Sequence, residues 1–201
     1  MKTIGVTGGI GAGKTQVLKY IEDHYDARII VADMAAKALE EPGQCCYADL
    51  VEAFGADLLD ETGKIDKSKL SQLIYSDKKA LETVNGIVHP AVKRYILDAM
   101  EAERKAGRKF FIVEAALLIE EGYGDILDEM WYIYASEPVR RMRLKNSRGY
   151  SDELIDGIMA AQKTEDEFRA ACDYVINNDA SIESMERQIK EILEGVCRSN
   201  G

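Results

Sequence analysis

Several features that mark particular classes of protein are scarce in this chain of 201 residues. Its longest unbroken apolar run is the six residues from Met130 to Ala135, whereas a helix that crosses a bilayer needs about 20. The uncharged stretch from Thr3 to Gly13 contains five glycines, which prevents an apolar targeting helix. We therefore expect a cytoplasmic protein that neither enters a membrane nor is exported.

Cysteine and histidine are also few, at four and two residues. Cys45 and Cys46 are neighbours, which rarely form a disulfide with each other, and C-x-x-C spacing does not occur. Two histidines leave little with which to complete a zinc site. We expect the four cysteines, which include Cys172 and Cys197, to be reduced thiols that are buried or idle.

Basic residues are outnumbered, with 26 Lys and Arg against 36 Asp and Glu and a net charge of −10. Such an acidic chain is repelled by nucleic acids and by anionic membrane surfaces, which argues against both as main partners. The segment from Pro138 to Ser151 differs, because it has five basic residues and no acidic one. One positive patch on a negative protein favours a small anionic ligand.

Short apolar runs, by contrast, recur along the chain and alternate with amphipathic segments. The predicted strands are Thr3–Thr7, Arg28–Val31, Lys109–Glu114, Met130–Ala135 and Tyr174–Asn177. All lack polar alternation, which is typical of parallel strands buried on both faces. This pattern predicts an α/β fold with a five-stranded parallel sheet and helices on both faces.

The interval between Asp33 and Lys109 has only helical patterns, near 44–54, 66–76, 77–86 and 90–106. It is too long for one crossover, so it predicts a helical substrate subdomain. We expect a single domain made of a core (about 1–40, 107–137 and 156–201), the helical subdomain (about 41–106) and a lid (about 138–155).

The first strand runs into a glycine-rich motif that fits G-x-x-x-x-G-K-[ST]. Its residues are Gly8, Gly9, Ile10, Gly11, Ala12, Gly13, Lys14 and Thr15, followed by Gln16. Glycines let successive backbone N–H groups point inward around a phosphate. Lys14 is expected to reach the β- and γ-phosphates of ATP, and the Thr15 hydroxyl to ligate Mg²⁺. The alternative is a glycine-rich turn with a surface lysine.

Three classes of nucleotide-binding protein compete for this motif: a GTPase switch, a motor-type ATPase and a small-molecule kinase. A GTPase reads guanine through N-K-x-D, and this chain contains no Asn-Lys pair. The D-x-x-G match at Asp60–Gly63 lies in a polar stretch, and we interpret it as a turn. A kinase needs an acceptor-site carboxylate, a second anion-binding element and a lid, and the chain offers a candidate for each.

Two carboxylates follow predicted strands. Asp33 comes after Ile29–Val31, and Glu114 ends the run that begins at Phe110. Ligands of open α/β sheets bind at the carboxyl ends of strands, so Asp33 should face the same crevice as the phosphate loop. Asp33 is either the base for an acceptor hydroxyl or the N-cap of a helix over 34–39, and the sequence favours neither. Glu114 is expected to reach Mg²⁺ through water, the alternative being a strand end turned to solvent.

The basic segment supplies the second anion-binding element. Arg140 and Arg143 are three residues apart on one helical face, and Arg148 is in the following turn. Guanidinium groups bind phosphate and neutralise charge that develops during phosphoryl transfer. A solvated helix face is the alternative, and we interpret Arg141 and Lys145 in that way.

Further motifs extend from Thr3 to about Asn178. They are the phosphate loop, Ala32-Asp33, Pro42-Gly43, Asn85-x-Ile87-x-His89-Pro90, Leu117-Leu118-Ile119-Glu120, Arg140–Gln162 and Asp173–Asn178. In this order and spacing they resemble the dephospho-CoA kinase family. Its members transfer the γ-phosphate of ATP to the 3′-hydroxyl of dephospho-CoA, the last step of coenzyme A synthesis. The resemblance implies a P-loop kinase core, a CoA-binding helical subdomain and a mobile lid.

The resemblance also implies roles for residues at matching positions. On the acceptor side, Asp33 would be the base for the 3′-hydroxyl, with His89 and Asn85 nearby. On the nucleotide side, Gly8, Gly9 and residues 11–16 would bind ATP with Arg148 and Asn178, the latter near the adenine pocket. Lys14, Arg140 and Arg143 would act in catalysis, and Thr15 and Glu114 would hold Mg²⁺.

Four positions depart from the family pattern. Val31 replaces the first acid of an Asp-Ala-Asp after strand two, and Ala116 replaces a proline before the Leu-Leu pair. Glu114 replaces an aspartate, and Arg140 replaces the glutamine of a Gln-x-x-Arg lid motif. These departures affect the details of the lid contacts and leave the class unchanged.

We expect a monomer whose partners are ATP and dephospho-CoA. The runner-up is a nucleoside or nucleoside-monophosphate kinase. The alternative from a different class is a nucleotide-binding regulator without phosphotransfer. The residues by themselves lead to a small-molecule kinase with an anionic acceptor, and the acceptor's identity comes from the resemblance.

Overall fold

The computed structural model describes residues 1–195, so Val196 and Cys197 lie outside the described residues. The chain divides into two compact units, one of Met1–Ile29 with the described chain from Gly107 onward, and one of Ile30–Ala106. The division falls at residue 30, whereas our predicted helical subdomain starts at about 41. No helix of the described chain is long and apolar enough to cross a membrane.

Five strands form one sheet in the order β2-β3-β1-β4-β5. They are β1 (Lys2–Thr7), β2 (Ala27–Val31), β3 (Phe110–Glu114), β4 (Glu129–Tyr134) and β5 (Tyr174–Asn177). β1 pairs in parallel with both β3 and β4, and β5 pairs in parallel with β4. The prediction of a five-stranded parallel sheet is confirmed, and each strand lies within one residue of its expected bounds.

The central strands are buried on both faces. Ile4 and Val6 of β1 are fully buried, and so are Phe111, Ile112 and Val113 of β3. Consecutive residues of a strand point to opposite faces, so burial of three in a row shows that both faces are covered. Because β1 and β3 are paired in parallel, their carboxyl ends lie side by side.

Nine helices accompany the sheet in the described chain. They are α1 (Lys14–His24), α2 (Ala32–Leu39), α3 (Cys45–Phe54), α4 (Lys67–Ser76), α5 (Lys78–Lys105), α6 (Glu137–Arg148), α7 (Asp152–Ala160), α8 (Glu165–Ala171) and α9 (Ile182–Leu193). The second unit contains α2 to α5, and the first contains the others. The last helix, α9, buries Met185, Ile189 and Ile192 and packs against α1 and β5.

The long helix α5 corrects a sequence prediction. Its 28 residues run through Pro90, where we predicted the start of a second helix. Proline inside a helix costs about 3 kcal/mol or more, because it removes a hydrogen bond and crowds the preceding turn. Each fully buried valine or isoleucine contributes about 1.5–3 kcal/mol, so an uninterrupted apolar face outweighs that cost. This face consists of Ala80, Val84, Val88, Val92, Ile96 and Met100, and α2, α3 and α4 all pack on α5.

The cysteines of the described chain are free thiols, as predicted. Cys45 is exposed, Cys46 is buried and Cys172 is half-buried. Burial raises the pKa of Cys46 to about 12 and that of Cys172 to about 11. Few thiolates therefore form at these two positions near neutral pH, and the thiolate is the reactive form.

The D-x-x-G match is a turn, as interpreted from the sequence. The Asp60 carboxylate accepts hydrogen bonds from the Thr62 hydroxyl at 2.7 Å and from the Lys64 backbone at 3.1 Å. The hydrogen bond from the Thr62 hydroxyl is the main cause that lowers the pKa of Asp60. The turn joins Leu59 and Ile65, which form an isolated antiparallel bridge. Asp60 is thus occupied in fixing this turn.

Candidate active site

Residues 8–13 connect β1 to α1 and follow a path that requires glycine at two positions. Gly13 is the N-cap of α1 with φ 93° and ψ 27°, a left-handed conformation that favours glycine. A Cβ at Gly13 would also collide with the side-chain amide of Asn178. At Gly8, where φ is 148°, a Cβ would come within 2.5 Å of the Ile133 carbonyl oxygen.

Donors from the protein meet the carbonyl groups of this loop. Gly8 O accepts from Lys14 Nζ at 2.8 Å, and Ala12 O accepts from Asn178 Nδ2 at 2.8 Å. Gly13 O accepts in the first turn of α1. In a trans peptide the N–H points away from the C=O. At the peptide between Ala12 and Gly13, the N–H of Gly13 is therefore directed away from Asn178, and it can bind an anion together with the first N–H groups of α1.

The beginning of α1 adds to this anion site. The helix has no side-chain cap and no acidic residue in its first turn. The first N–H groups of a helix have no partner within the helix and carry partial positive charge. Thr15 and Gln16 are exposed in this turn. The structure thus assembles the phosphate loop that the motif predicted.

Lys14 and Glu114 meet at the edge of the loop. Lys14 Nζ lies 3.6 Å from Glu114 Oε1, and both side chains are mostly buried. The sheet register causes this contact, because Val6 of β1 pairs with Glu114 of β3. The two strand ends are therefore adjacent, and Glu114 closes β3 as expected for an acid after an apolar run.

The chemistry of the nearby oxygens fits Mg²⁺. Thr15 offers a hydroxyl, and Glu114 offers a carboxylate at the carboxyl end of β3. In the described part of the chain no group of three or more metal-binding side chains occurs. Mg²⁺ in kinase sites is held by one or two protein oxygens together with substrate phosphates and water, so a small donor set suits it.

The guanidinium group of Arg140 lies over the phosphate loop. A Cβ at Gly9 would collide with Arg140 Nη1, which places this head group directly at the loop backbone. Arg140 Nε is buried, and it has no hydrogen-bond partner among the described residues. A desolvated donor on a charged group is costly, so an anionic ligand at this point would be stabilised.

Arg143, on the same face of α6, contacts backbone instead. Its Nη1 donates to Ala12 O at 3.2 Å, and its Nη2 donates to Asn178 O at 2.7 Å. Asn178 is 2% exposed, and its amide contacts the loop as well as Gln16 Oε1 at 3.5 Å. The structure therefore brings Arg143 and Asn178 together against the phosphate loop.

The remaining basic residues of the segment have other surroundings. Arg148 is exposed, and its guanidinium lies 5.8 Å from the Tyr150 ring. Arg141 forms ion pairs with three acids that flank the segment: Glu137, Asp152 and Asp156. Lys145 pairs with Asp152 at 2.8 Å. The segment contains no acid, but acids on either side of it pair with Arg141 and Lys145. In the described chain, Arg140, Arg143 and Arg148 have no carboxylate partner.

Gln162 is a loop contact to which the sequence reading gave no role. Its Oε1 accepts a hydrogen bond from the Ile10 backbone N–H at 3.1 Å. It also lies 3.2 Å from the point that a Cβ of Gly9 would occupy, beside Arg140. The sequence signal was only its place at the end of the lid-like motif that begins at Arg140.

In the second unit, Asp33 is the second residue of α2 and is exposed. The N-cap of this helix is Val31, whose side chain makes no capping hydrogen bond. The alternative that Asp33 caps a helix over 34–39 is therefore wrong, because α2 begins two residues earlier than that reading assumed. Its carboxylate lies in the first turn, where the helix dipole stabilises negative charge.

Asn85 and His89 lie one helical turn apart on α5, and both are half-buried. Residues four apart on a helix share one face, so the two polar side chains are neighbours. Because α2 packs against α5 in this unit, the helix that carries Asp33 and the helix that carries these residues are in contact.

A family of known proteins matches almost the whole chain. The family model described as dephospho-CoA kinase matches residues 2–184. The chain belongs to the dephospho-CoA kinase family. The dephospho-CoA kinase of Geobacillus kaustophilus is 33% identical over 192 residues, which cover 96% of this chain and 95% of that protein.

Solved structures agree with this family. The dephospho-CoA kinase from Campylobacter jejuni matches with a TM-score of 0.71 and 25% identity, over 98% of this chain and 100% of that one. Shikimate kinase from Bacteroides thetaiotaomicron shares the fold, with a TM-score of 0.58 and 18% identity over 96% and 98% of the two chains. As a member of the dephospho-CoA kinase family, this P-loop enzyme phosphorylates dephospho-CoA with ATP.

Proposed function

We propose that residues 8–16 hold the phosphates of Mg²⁺-ATP and that Asp33 takes the proton of the 3′-hydroxyl of dephospho-CoA. The observation that carries the proposal is the glycine-rich loop at the start of α1. Lys14 Nζ is held there on Gly8 O, and Asn178 holds the Ala12 carbonyl so that the Gly13 N–H is directed the other way. In the reaction a bond forms between the 3′-oxygen and the γ-phosphorus. The bond from that phosphorus to the β,γ-bridging oxygen breaks, which leaves ADP.

On the nucleotide side, the backbone of Gly8, Gly9 and residues 11–13 surrounds the phosphates. Lys14 neutralises charge on the β- and γ-phosphates, because its ammonium is already held at the loop by Gly8 O and Glu114. Gln16, in the exposed first turn of α1, lies beside them. Phosphoryl transfer depends mostly on such positioning and charge neutralisation.

Mg²⁺ neutralises phosphate charge when it is bound. Thr15 is proposed to ligate it directly, and Glu114 through water. The 3.6 Å contact between Lys14 and Glu114 supports this placement, since it puts the carboxylate next to the group that meets the phosphates.

Arg140 is proposed to neutralise charge on the transferred phosphoryl group. Its head group is at Gly9, and its buried Nε gains a ligand when the phosphate arrives. Arg148 is proposed to contact ATP when the segment over 138–155 closes as a lid. Asn178, buried against the loop, is proposed to form part of the floor beneath the adenine.

On the acceptor side, Asp33 is the proposed base, which contributes about 10²- to 10⁴-fold in rate if it acts in that way. Asn85 and His89 are proposed to hydrogen-bond the acceptor from one face of α5. Their half-burial supports this role, because each residue keeps some exposed surface while the helix fixes its position.

One assay distinguishes this proposal from its alternatives. ATP consumption is measured with dephospho-CoA, with nucleosides and with nucleoside monophosphates, and the product is located on the ribose by phosphorus NMR. Phosphorylation of dephospho-CoA at the 3′-position alone supports the proposal. Preference for a nucleoside or its monophosphate favours that kinase class, and hydrolysis that ignores all acceptors favours a regulator.

We further propose that the enzyme works as a cytoplasmic monomer. The free thiols of Cys45, Cys46 and Cys172 support a reducing compartment. Sedimentation of the purified protein with and without ATP tests the oligomeric state, and a dimer under both conditions would contradict it.

A further inference from the structure

The guanidinium of Arg143 donates its hydrogen bonds to backbone carbonyl oxygens. Besides Ala12 O at 3.2 Å and Asn178 O at 2.7 Å, it donates to Gly11 O at 3.4 Å. None of its hydrogen bonds or ion pairs in the described chain involves a carboxylate, whereas Arg141, two residues away, pairs with three. A half-buried guanidinium that donates to three carbonyl oxygens can fix the orientation of the peptides that carry them.

The peptide between Ala12 and Gly13 is held by two side chains. Its carbonyl oxygen accepts from Arg143 on α6 and from the Asn178 amide at the end of β5. Its N–H belongs to Gly13 and points the opposite way. Since Gly13 has no Cβ, this peptide could rotate at little steric cost if its carbonyl were released.

The surroundings hold both donors in place. Asn178 donates its backbone N–H to Tyr134 O at 2.8 Å, so its position is set by the end of β4. Arg143 is set by α6, which packs on the loop closely enough that a Cβ at Gly11 would lie 3.0 Å from Arg140 O and 3.1 Å from Leu144. Both donors therefore belong to parts of the first unit that are fixed by their own packing.

We propose that Arg143 is a positioning residue, which with Asn178 holds the peptide between Ala12 and Gly13 in the orientation that turns its N–H towards the nucleotide phosphates. This inference rests on the proposed function, in that the loop binds ATP. It gives Arg143 a task that is complete before ATP arrives, unlike neutralisation of charge in the transition state. A loop that samples rotated peptides binds with an affinity reduced by the fraction that is competent.

The test compares Arg143→Ala and Arg143→Lys with the matched control Arg141→Ala. ADP affinity is measured by calorimetry, and hydrogen exchange of a peptide covering residues 8–17 is measured in the nucleotide-free enzyme. Arg143→Ala is expected to weaken ADP about 10- to 100-fold and to speed exchange without any ligand, and the KM for ATP rises more than kcat falls. Arg143→Lys restores only part, because one ammonium cannot span three carbonyls. Arg141→Ala changes neither measurement.

The opposite pattern overturns the proposal. If Arg143→Ala lowers kcat by about three orders of magnitude while ADP affinity and exchange stay as in the parent enzyme, Arg143 acts in the transition state. Should Arg143→Ala not fold, Asn178→Ala removes the other donor to Ala12 O. The deciding measurement is then hydrogen exchange of residues 8–17 in the nucleotide-free enzyme, because Asn178 is itself proposed to lie beneath the adenine, and unchanged exchange overturns the proposal. Neither measurement uses an acceptor, so failure of the acceptor assay would contradict the proposed function and leave this result standing.

Discussion

Lys14 and Glu114 form an ion pair of 3.6 Å at the junction of two parallel strands. Lys14 opens α1 and also donates to Gly8 O at 2.8 Å, whereas Glu114 closes β3. The side chains are 18% and 14% exposed, so solvent screens the pair only in part. A cation and a carboxylate are thus fixed next to each other at the glycine-rich loop, as the proposed roles towards the ATP phosphates and Mg²⁺ require.

Lys14→Ala is expected to leave the fold intact and to lower kcat by about 10²- to 10³-fold, as for removal of one donor that stabilises a transition state. The lysine contributes little to the core, while its ammonium neutralises charge that grows on the phosphates. Turnover and circular dichroism check this, with Lys19→Ala as control, an exposed lysine on the same helix. A folded Lys14→Ala enzyme with near-normal turnover would remove Lys14 from the mechanism.

Glu114→Gln is expected to raise the Mg²⁺ concentration that gives half-maximal turnover. Glutamine keeps the shape of the side chain but loses the charge that attracts the metal and its water ligands. ADP affinity without Mg²⁺ should stay the same or improve slightly. Turnover is titrated with Mg²⁺, and Glu120→Gln is the control, since Glu120 pairs with Lys163. An unchanged Mg²⁺ dependence would make Glu114 a partner of Lys14 alone.

Asp33→Asn is expected to lower kcat about 10²- to 10⁴-fold, because the amide cannot accept the proton of the hydroxyl. Asp33 lies in the first turn of α2 without capping it, so the loss of its charge costs only about 0.3–1 kcal/mol of stability. ATP affinity should barely change. A thermal melt, kcat and the Kd for ATP are measured beside Asp98→Asn, an exposed acid of the same unit. Wild-type turnover in Asp33→Asn would require another base, with Glu114 as the next candidate.

The segment 138–155 is expected to exchange amide hydrogens more slowly when a non-hydrolysable ATP analogue and dephospho-CoA are both bound. The charges of Arg140 and Arg148 gain phosphate partners, which draws the segment onto the nucleotide. Protection should be greater after residue 148 than around Arg143, which is already bound to the loop. Exchange in α9 serves as the internal control. Equal exchange throughout the segment, with and without ligands, would reduce it to a solvated surface.

Pro90→Ala is expected to stabilise the enzyme. The substitution restores a hydrogen bond inside α5, and it leaves no cavity because Pro90 is exposed. The gain is on the order of 3 kcal/mol, and about 2–4 °C in Tm accompanies each kcal/mol in a chain of this size. A thermal melt measures it. A lower Tm would show that the packing of Val88 and Val92 depends on the local geometry that proline imposes.

Local sequence patterns determine the strands and the phosphate loop of this protein. The five strands could be predicted because residues buried on both faces leave continuous apolar runs, which is a property of each run alone. The phosphate loop could be predicted because its glycines, Lys14 and Thr15 meet local demands of backbone and charge. The place of Glu114 at the end of β3 could be predicted for the same reason, since it is an acid that closes an apolar run.

Contacts between distant parts of the chain had no such signal. Asn178 and Ala12 are 166 residues apart, and Gln162 and Ile10 are 152 apart. Such pairs meet because the sheet places β1 beside β4 and β4 beside β5, an order that no spacing in the sequence encodes. The continuity of α5 through Pro90 was decided in the same way. The local preference of proline opposes a continuous helix. Burial of the apolar face of α5 against α2, α3 and α4 outweighs the missing hydrogen bond, and this free energy exists only once the unit is packed.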